Sequence, residues 1–186
     1  MFEFGESIEI QNVVASTTLD QELDLANLAM DLKDVEYDPE KFPGLIYRTV
    51  EPKAANLLFR SGNIVCTGAD GIDSMHDSIS TLLGELRELD ISVPEDPPVT
   101  IQNIVSSADL ETTLNLNAIA IGLGLESVEY EPEQFPGLVY RLDSPDVVTL
   151  LFGSGKLVIT GATDRGDAHQ AVNAVATTLD DLGLLN

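Results

Sequence analysis

Tryptophan is absent from this chain, cysteine occurs once and histidine twice, and only nine of its 186 residues are lysine or arginine. A lone Cys66 excludes an internal disulfide, and with only His76 and His169 beside it no Cys/His zinc set can be assembled. Long apolar runs are missing too. Nothing approaches the roughly 18 to 20 residues that span a bilayer, and the opening residues 1–7 lack the basic and apolar regions of a secretory signal. We therefore expect an intracellular protein with no membrane contact and no metal.

Against the nine cations stand 32 acidic residues, a formal charge of −23. Yet 44% of the chain is apolar and the mean hydropathy is +0.09, so the acid does not mark a disordered tail. It must coat a folded surface, around a core that a chain of this length can build. Such a coat suits a high-salt interior, where dense salt screens the self-repulsion of the compact state.

Laid on itself, the chain repeats. Ile10-Gln11-Asn12-Val13-Val14 returns as Ile101-Gln102-Asn103-Ile104-Val105 at an offset of 91 residues. Phe42-Pro43-Gly44-Leu45-Ile46-Tyr47-Arg48 returns as Phe135-Pro136-Gly137-Leu138-Val139-Tyr140-Arg141 at an offset of 93. The two extra residues lie around Gly122-Leu123-Gly124. Leu57-Leu58-Phe59, Ser61-Gly62 and Thr67-Gly68-Ala69 recur as Leu150-Leu151-Phe152, Ser154-Gly155 and Thr160-Gly161-Ala162. Two copies are too few for a solenoid, which needs about three stacked units.

Each copy reads as a strand, a short helix, several strands and a long helix. Ile64-Val65-Cys66-Thr67 and Leu157-Val158-Ile159-Thr160 are short β-branched runs punctuated by Ser-Gly and Gly-Ala, which predicts hairpins. One apolar stripe of helical period runs through Ile72, Met75, Ile79, Leu82, Leu86 and Leu89, and a second through Ala168, Val172, Val175, Leu179 and Leu182. Pro94 and Pro97-Pro98, among Glu95 and Asp96, break the chain between copies, so the expected domains are residues 8–93 and 99–184.

An antiparallel sheet with helices on one side normally turns polar residues to water on the other. Here the parity set Ile8, Ile10, Asn12 and Val14 is mostly apolar, and both parities of Ile64–Thr67 are apolar or small. Each copy supplies helix for only one layer. A bound partner is the natural second layer, because a large exposed apolar face marks an interaction site.

These residues together resemble the TATA-box-binding proteins, most closely those of halophilic archaea. The likeness rests on the paired Gln-Asn-Val/Ile-Val strands, the two Phe-Pro-Gly segments, Arg48 with Arg141, and the Ser-Gly-x-x-Val-x-Thr-Gly-Ala segments. It spans about residues 8–184. It implies an α+β fold, a tandem pseudo-two-fold repeat forming a saddle, with a curved ten-stranded antiparallel sheet below and four helices above. It further implies a transcription initiation factor that grips the minor groove of the TATA element in double-stranded promoter DNA, kinks it, and recruits transcription factor B and, indirectly, RNA polymerase. The wedge-and-kink geometry is the family's own and is taken over with the resemblance.

Carried across by position, Phe42, Phe59, Phe135 and Phe152 are the kinking wedges. Asn12, Asn103, Thr67 and Thr160 meet base acceptors, and Val14, Val105, Val65, Val158, Leu57 and Leu150 form the apolar floor. Adenine N3 and thymine O2 look alike in A·T and T·A, whereas G·C adds an exocyclic amine that such a floor leaves unpaired. Arg48, Arg141, Lys41, Lys156, Ser61 and Ser154 fall at phosphate-contacting positions. Asn63, Asp70, Gln134 and Thr163 stand where the family often has a cation. Glu131 and Glu133, before Phe135, fall in the second stirrup loop that binds the partner factor. The first stirrup has the similar Asp38 and Glu40.

Catalysis is not expected. At −23, paired carboxylates arise by composition alone. Gly122-Leu123-Gly124 lacks the third glycine of a dinucleotide loop, and Ser154-Gly155-Lys156 lacks the rest of a Walker loop. His76 and His169 fall at equivalent helix positions on the surface, and Cys66 reads as a small core residue facing the helices. No cofactor is implied. The resemblance leads us to expect a cytoplasmic, nucleoid-associated protein, and the sequence leaves a weak homodimer in the absence of DNA open. The rival function is a saddle-fold protein–protein module that has lost DNA binding, which would show polar or broken wedge positions.

Overall fold

The computed structural model of the chain describes residues 7–185. In chain order the elements are β1 (Glu9–Thr18), α1 (Leu25–Asp31), β2 (Val35–Glu36), β3 (Leu45–Thr49), β4 (Ala54–Leu58), β5 (Asn63–Ala69) and α2 (Ile72–Glu88). The series then repeats as β6 (Thr100–Asp109), α3 (Leu116–Leu123), β7 (Val128–Glu129), β8 (Leu138–Asp143), β9 (Asp146–Leu151), β10 (Lys156–Ala162) and α4 (Arg165–Asp181). The fold is α+β, with ten strands and four helices among the described residues, all strand pairs within each half being antiparallel. Two compact units result: Gln11–Gln102, and Asn103 onward together with the start of β1.

In the first unit the strands lie in the order β2-β3-β4-β5-β1, and in the second β7-β8-β9-β10-β6. The period of two is plain in the burial. Val13, Ala15 and Thr17 of β1 are buried, while Asn12, Val14, Ser16 and Thr18 between them are only half-buried. β5 alternates likewise, with Ile64 and Cys66 buried and Val65 and Thr67 half-buried. The buried parity packs on the long helix. Met75, Ile79, Leu82 and Leu86 form the buried stripe of α2, and Ala168, Val172, Val175 and Leu179 that of α4, as the period of the sequence predicts, but at the ends of the predicted stripes Ile72 and Leu89 are only half-buried and Leu182, just past α4, is exposed. Each fully buried leucine here contributes roughly 1.5–3 kcal/mol by leaving water.

Cys66 faces the helix, its thiol within 4.0 Å of the Met75 carbonyl. Burial raises its pKa, partly offset by the Ser78 hydroxyl. That serine belongs to a polar cluster inside the first unit, where Thr49 Oγ1 lies 2.8 Å from Ser78 Oγ and Asn56 Nδ2 donates to the same oxygen at 2.9 Å. The second unit solves the same space differently: its corresponding residues are Leu142, Ala171 and Thr149, the last donating to the Tyr140 carbonyl at 2.8 Å. The short helices start on side-chain caps, Asp24 accepting from the Asn27 N–H and Asn115 from the Ala118 N–H. The two-residue insertion of the second copy falls just after α3, where Gly124 ends the helix. No helix among the described residues is long and apolar enough to cross a membrane.

Candidate nucleic-acid interface

Strand register sets the side chains of the helix-free face in rows. Across the first unit Ile46, Leu57, Val65 and Ser16 stand side by side, and next to them Arg48, Ala55 and Thr67. The second unit repeats both rows as Val139, Leu150, Val158 and Ser107, and Arg141, Val148 and Thr160. Val14 and Val105 lie on the same half-buried parity of β1 and β6. The rows are therefore mostly apolar, with Arg48 and Arg141 on β3 and β8 and Lys156 at the exposed start of β10. Each unit brings together the floor residues expected from the sequence.

The two asparagines are held by a backbone irregularity. Gly68 and Gly161, at φ +86° and +93°, sit where the register of β5 against β1 and of β10 against β6 shifts by a bulge. A bulge leaves a backbone N–H without a ladder partner. Asn12 Oδ1 accepts the Gly68 N–H at 2.7 Å, and Asn103 Oδ1 accepts the Gly161 N–H at 2.6 Å. Because the donor is a backbone N–H, the amide oxygen must point to it, and the Asn NH2 group is left as the outward-facing donor. In the second unit that group also lies 3.2 Å from Thr160 Oγ1. Left-handed φ favours glycine, so the repeated Thr-Gly-Ala segment is the signal that marks these bulges.

Phe42 and Phe59 meet with ring centroids 5.9 Å apart at 67°, an edge contact, and Phe135 and Phe152 at 5.9 Å and 39°. The rings occupy space that a side chain on the following glycine would need. A Cβ on Gly44 would come within 2.8 Å of the Phe42 ring, and one on Gly137 within 2.7 Å of Phe135 and 2.9 Å of Phe152. Phe-Pro-Gly is thus one device: the glycine makes room for the pair. Gly137→Ala will push the rings apart while leaving the core, and hence the unfolding midpoint, nearly unchanged. The altered Phe135–Phe152 geometry is to be read from aromatic NMR contacts.

The cations are less free than the sequence suggests. Arg48 Nη1 lies 2.9 Å from Glu36 Oε1 and Arg141 Nη2 3.6 Å from Glu129 Oε1, the same pair in both units, and Lys41 pairs with Asp38 at 3.7 Å. Glu36 and Glu129 sit on the edge strands β2 and β7, and sequence reasoning missed them. The repeated Val-Glu-Tyr at residues 35–37 and 128–130 was the available signal. Ser61 and Ser154 turn their hydroxyls toward the Asn63 and Lys156 N–H groups at 3.4 Å. Lys156 is exposed at the start of β10. Glu131 and Glu133 are exposed in the turn closed by the Glu131 carbonyl and the Gln134 and Phe135 N–H groups. His76 and His169 are exposed on α2 and α4, and no cluster of metal-binding side chains occurs among the described residues.

The family model described as transcription factor TFIID, or TATA-binding protein, matches residues 7–89 and 98–182. The chain belongs to the TATA-binding protein family. It is 64% identical to the TATA-box-binding protein of Haloarcula marismortui over the whole of both chains, and 64% identical to that of Natronomonas pharaonis over 97% of each. Among solved structures it is similar to Methanococcus jannaschii TBP, with a TM-score of 0.85 and 48% identity over 94% of this chain and 99% of that one. The TATA-binding protein family is one of transcription factors rather than enzymes, and the similar proteins come from archaea, the first two from halophiles.

Proposed function

We propose that the chain is a transcription initiation factor that lays its helix-free face in the minor groove of a TATA element and kinks the DNA with its phenylalanine pairs. One observation carries the reading: in both units an outward amide donor is locked by a bulge glycine within an apolar face. Adenine N3 and thymine O2 are acceptors that such donors satisfy, and a guanine amine set against Val65, Leu57 or their counterparts loses its hydrogen bonds to water without replacement. Thr67 and Thr160 add hydroxyls to the same rows. Arg48, Arg141, Lys41, Lys156, Ser61 and Ser154 are placed at the rim to meet phosphates, the first three after leaving their carboxylate partners. Glu131 and Glu133 offer exposed charge for a transcription-factor-B partner, through which polymerase is reached.

Fluorescence anisotropy of a labelled TATA duplex against a G·C-substituted duplex, from about 0.2 to 3 M potassium chloride with and without the B factor, tests this. Selective binding to the TATA duplex is expected at high salt, strengthened by the partner. An intact fold with no selectivity at any salt would leave the protein–protein module as the reading.

A further inference from the structure

We propose that the first unit carries, away from the sheet face, a docking groove for a segment of another protein that bears leucine-like and lysine or arginine side chains. Two adjoining clefts of about 730 and 240 Å³ lie beside α1 and share Glu22, Leu23 and Asp24 in their walls, and we take them together as the groove. Its floor is apolar, from Tyr37 and Pro39 at one end through Leu23 and Leu28 to Leu89 and Ile91 at the other. Its rim holds the exposed carboxylates of Glu22, Asp24 and Asp31. One cation, Arg60, approaches Glu22 at 4.0 Å with both side chains about four-fifths exposed, a weak pair that leaves the rim acidic.

Overall acidity does not account for this rim, because the second unit is an internal control. The residues at the floor positions of the second copy are likewise apolar or aromatic: Tyr130, Pro132, Leu114, Ile119, Leu182 and Leu184. Yet Glu22, Asp24 and Asp31 are replaced by Thr113, Asn115 and Gly122, and Arg60 by Gly153. The corresponding positions thus carry three carboxylates in the first copy and none in the second, within one acidic chain. Charge set on an apolar floor selects an occupant that offers cations and an apolar ridge together. In strong salt the Debye length falls to about 3 Å, so only contact pairs act electrostatically, while the apolar floor keeps its contribution. The groove uses none of the residues assigned to DNA, and the inference stands apart from that reading.

A labelled 14-residue Leu/Lys amphipathic peptide, with its Leu/Glu counterpart as control, titrated against the full chain at 0.5 and 2 M potassium chloride is the test. Glu22→Gln with Asp24→Asn and Asp31→Asn should weaken Leu/Lys binding at least tenfold at both salts, and asparagine at position 24 keeps the α1 cap. The matched triple Glu126→Gln, Asp180→Asn and Asp181→Asn, all exposed on the second unit, should change it less than twofold. Neither triple should alter TATA-duplex binding. Equal weakening by both triples, or no binding of the Leu/Lys peptide by the unaltered chain, overturns the groove.

Discussion

Alanine at Phe59 will leave the fold standing and weaken binding to a TATA duplex by about 10- to 100-fold, with the bend at that end of the site relaxed; Phe152→Ala will do the same in the other unit. The ring is half-buried and its intramolecular partner is Phe42 at 5.9 Å, so its removal costs the protein an edge contact of roughly 0.5–1.5 kcal/mol. That is small beside a domain stability of about 5–15 kcal/mol. In the proposed complex the ring would do more. A kinked step loses stacking worth about a few kcal/mol, and an inserted ring would replace part of it. At about 1.4 kcal/mol per factor of ten, losing the replacement gives the stated range. Energy transfer between dyes on the duplex ends reads the bend, and anisotropy reads the affinity. Full affinity with an unchanged bend in both variants would remove the wedge role.

Binding is expected to strengthen as potassium chloride rises, and Glu36→Gln with Glu129→Gln is expected to lower the log–log slope by about two, toward ordinary salt-weakened binding. Four free cations meeting phosphates would give a slope near −3.6 by counterion release, at about −0.9 each. Here Arg48, Arg141 and Lys41 are already paired with Glu36, Glu129 and Asp38. On the proposed interface, an arginine that turned to a phosphate would leave its carboxylate beside the DNA to take up a cation. Uptake therefore offsets release, and at a formal charge of −23 the balance tips to uptake. An unchanged slope in the double variant, measured by anisotropy over the same salt range, would show that these two carboxylates are not where the cations enter.

The repeat, the helix stripes and the strand alternation were all readable because each is a periodic consequence of a face packing on something. Phe42, Phe59 and the asparagines were readable because they recur with their neighbours. What stayed hidden depends on register. Glu36 reaches Arg48 only because the two-residue β2 pairs with β3, with Glu36 opposite Ile46, and a strand that short leaves no alternation to read. The Asn12–Gly68 lock spans 56 residues and rests on a bulge, whose position follows from pairing and not from composition. The room that Gly44 and Gly137 leave for the rings was hidden for a related reason: a missing Cβ has meaning only once the phenylalanines are placed around it.

The Thr49–Ser78–Asn56 cluster and its counterpart Leu142–Ala171–Thr149 belong to two halves whose helix-free sheet faces match almost side chain for side chain. The interiors have diverged in concert while the helix-free face has not, which is the footprint of a duplicated ancestor constrained from outside and free to rewrite itself within. Single residues are then poor currency for exchange between the halves. A serine carried alone to position 171 arrives without its threonine and asparagine, whereas the three moved together carry the hydrogen bonds that Thr49, Ser78 and Asn56 make among themselves. Chimeras of this protein are best cut around such co-inherited sets.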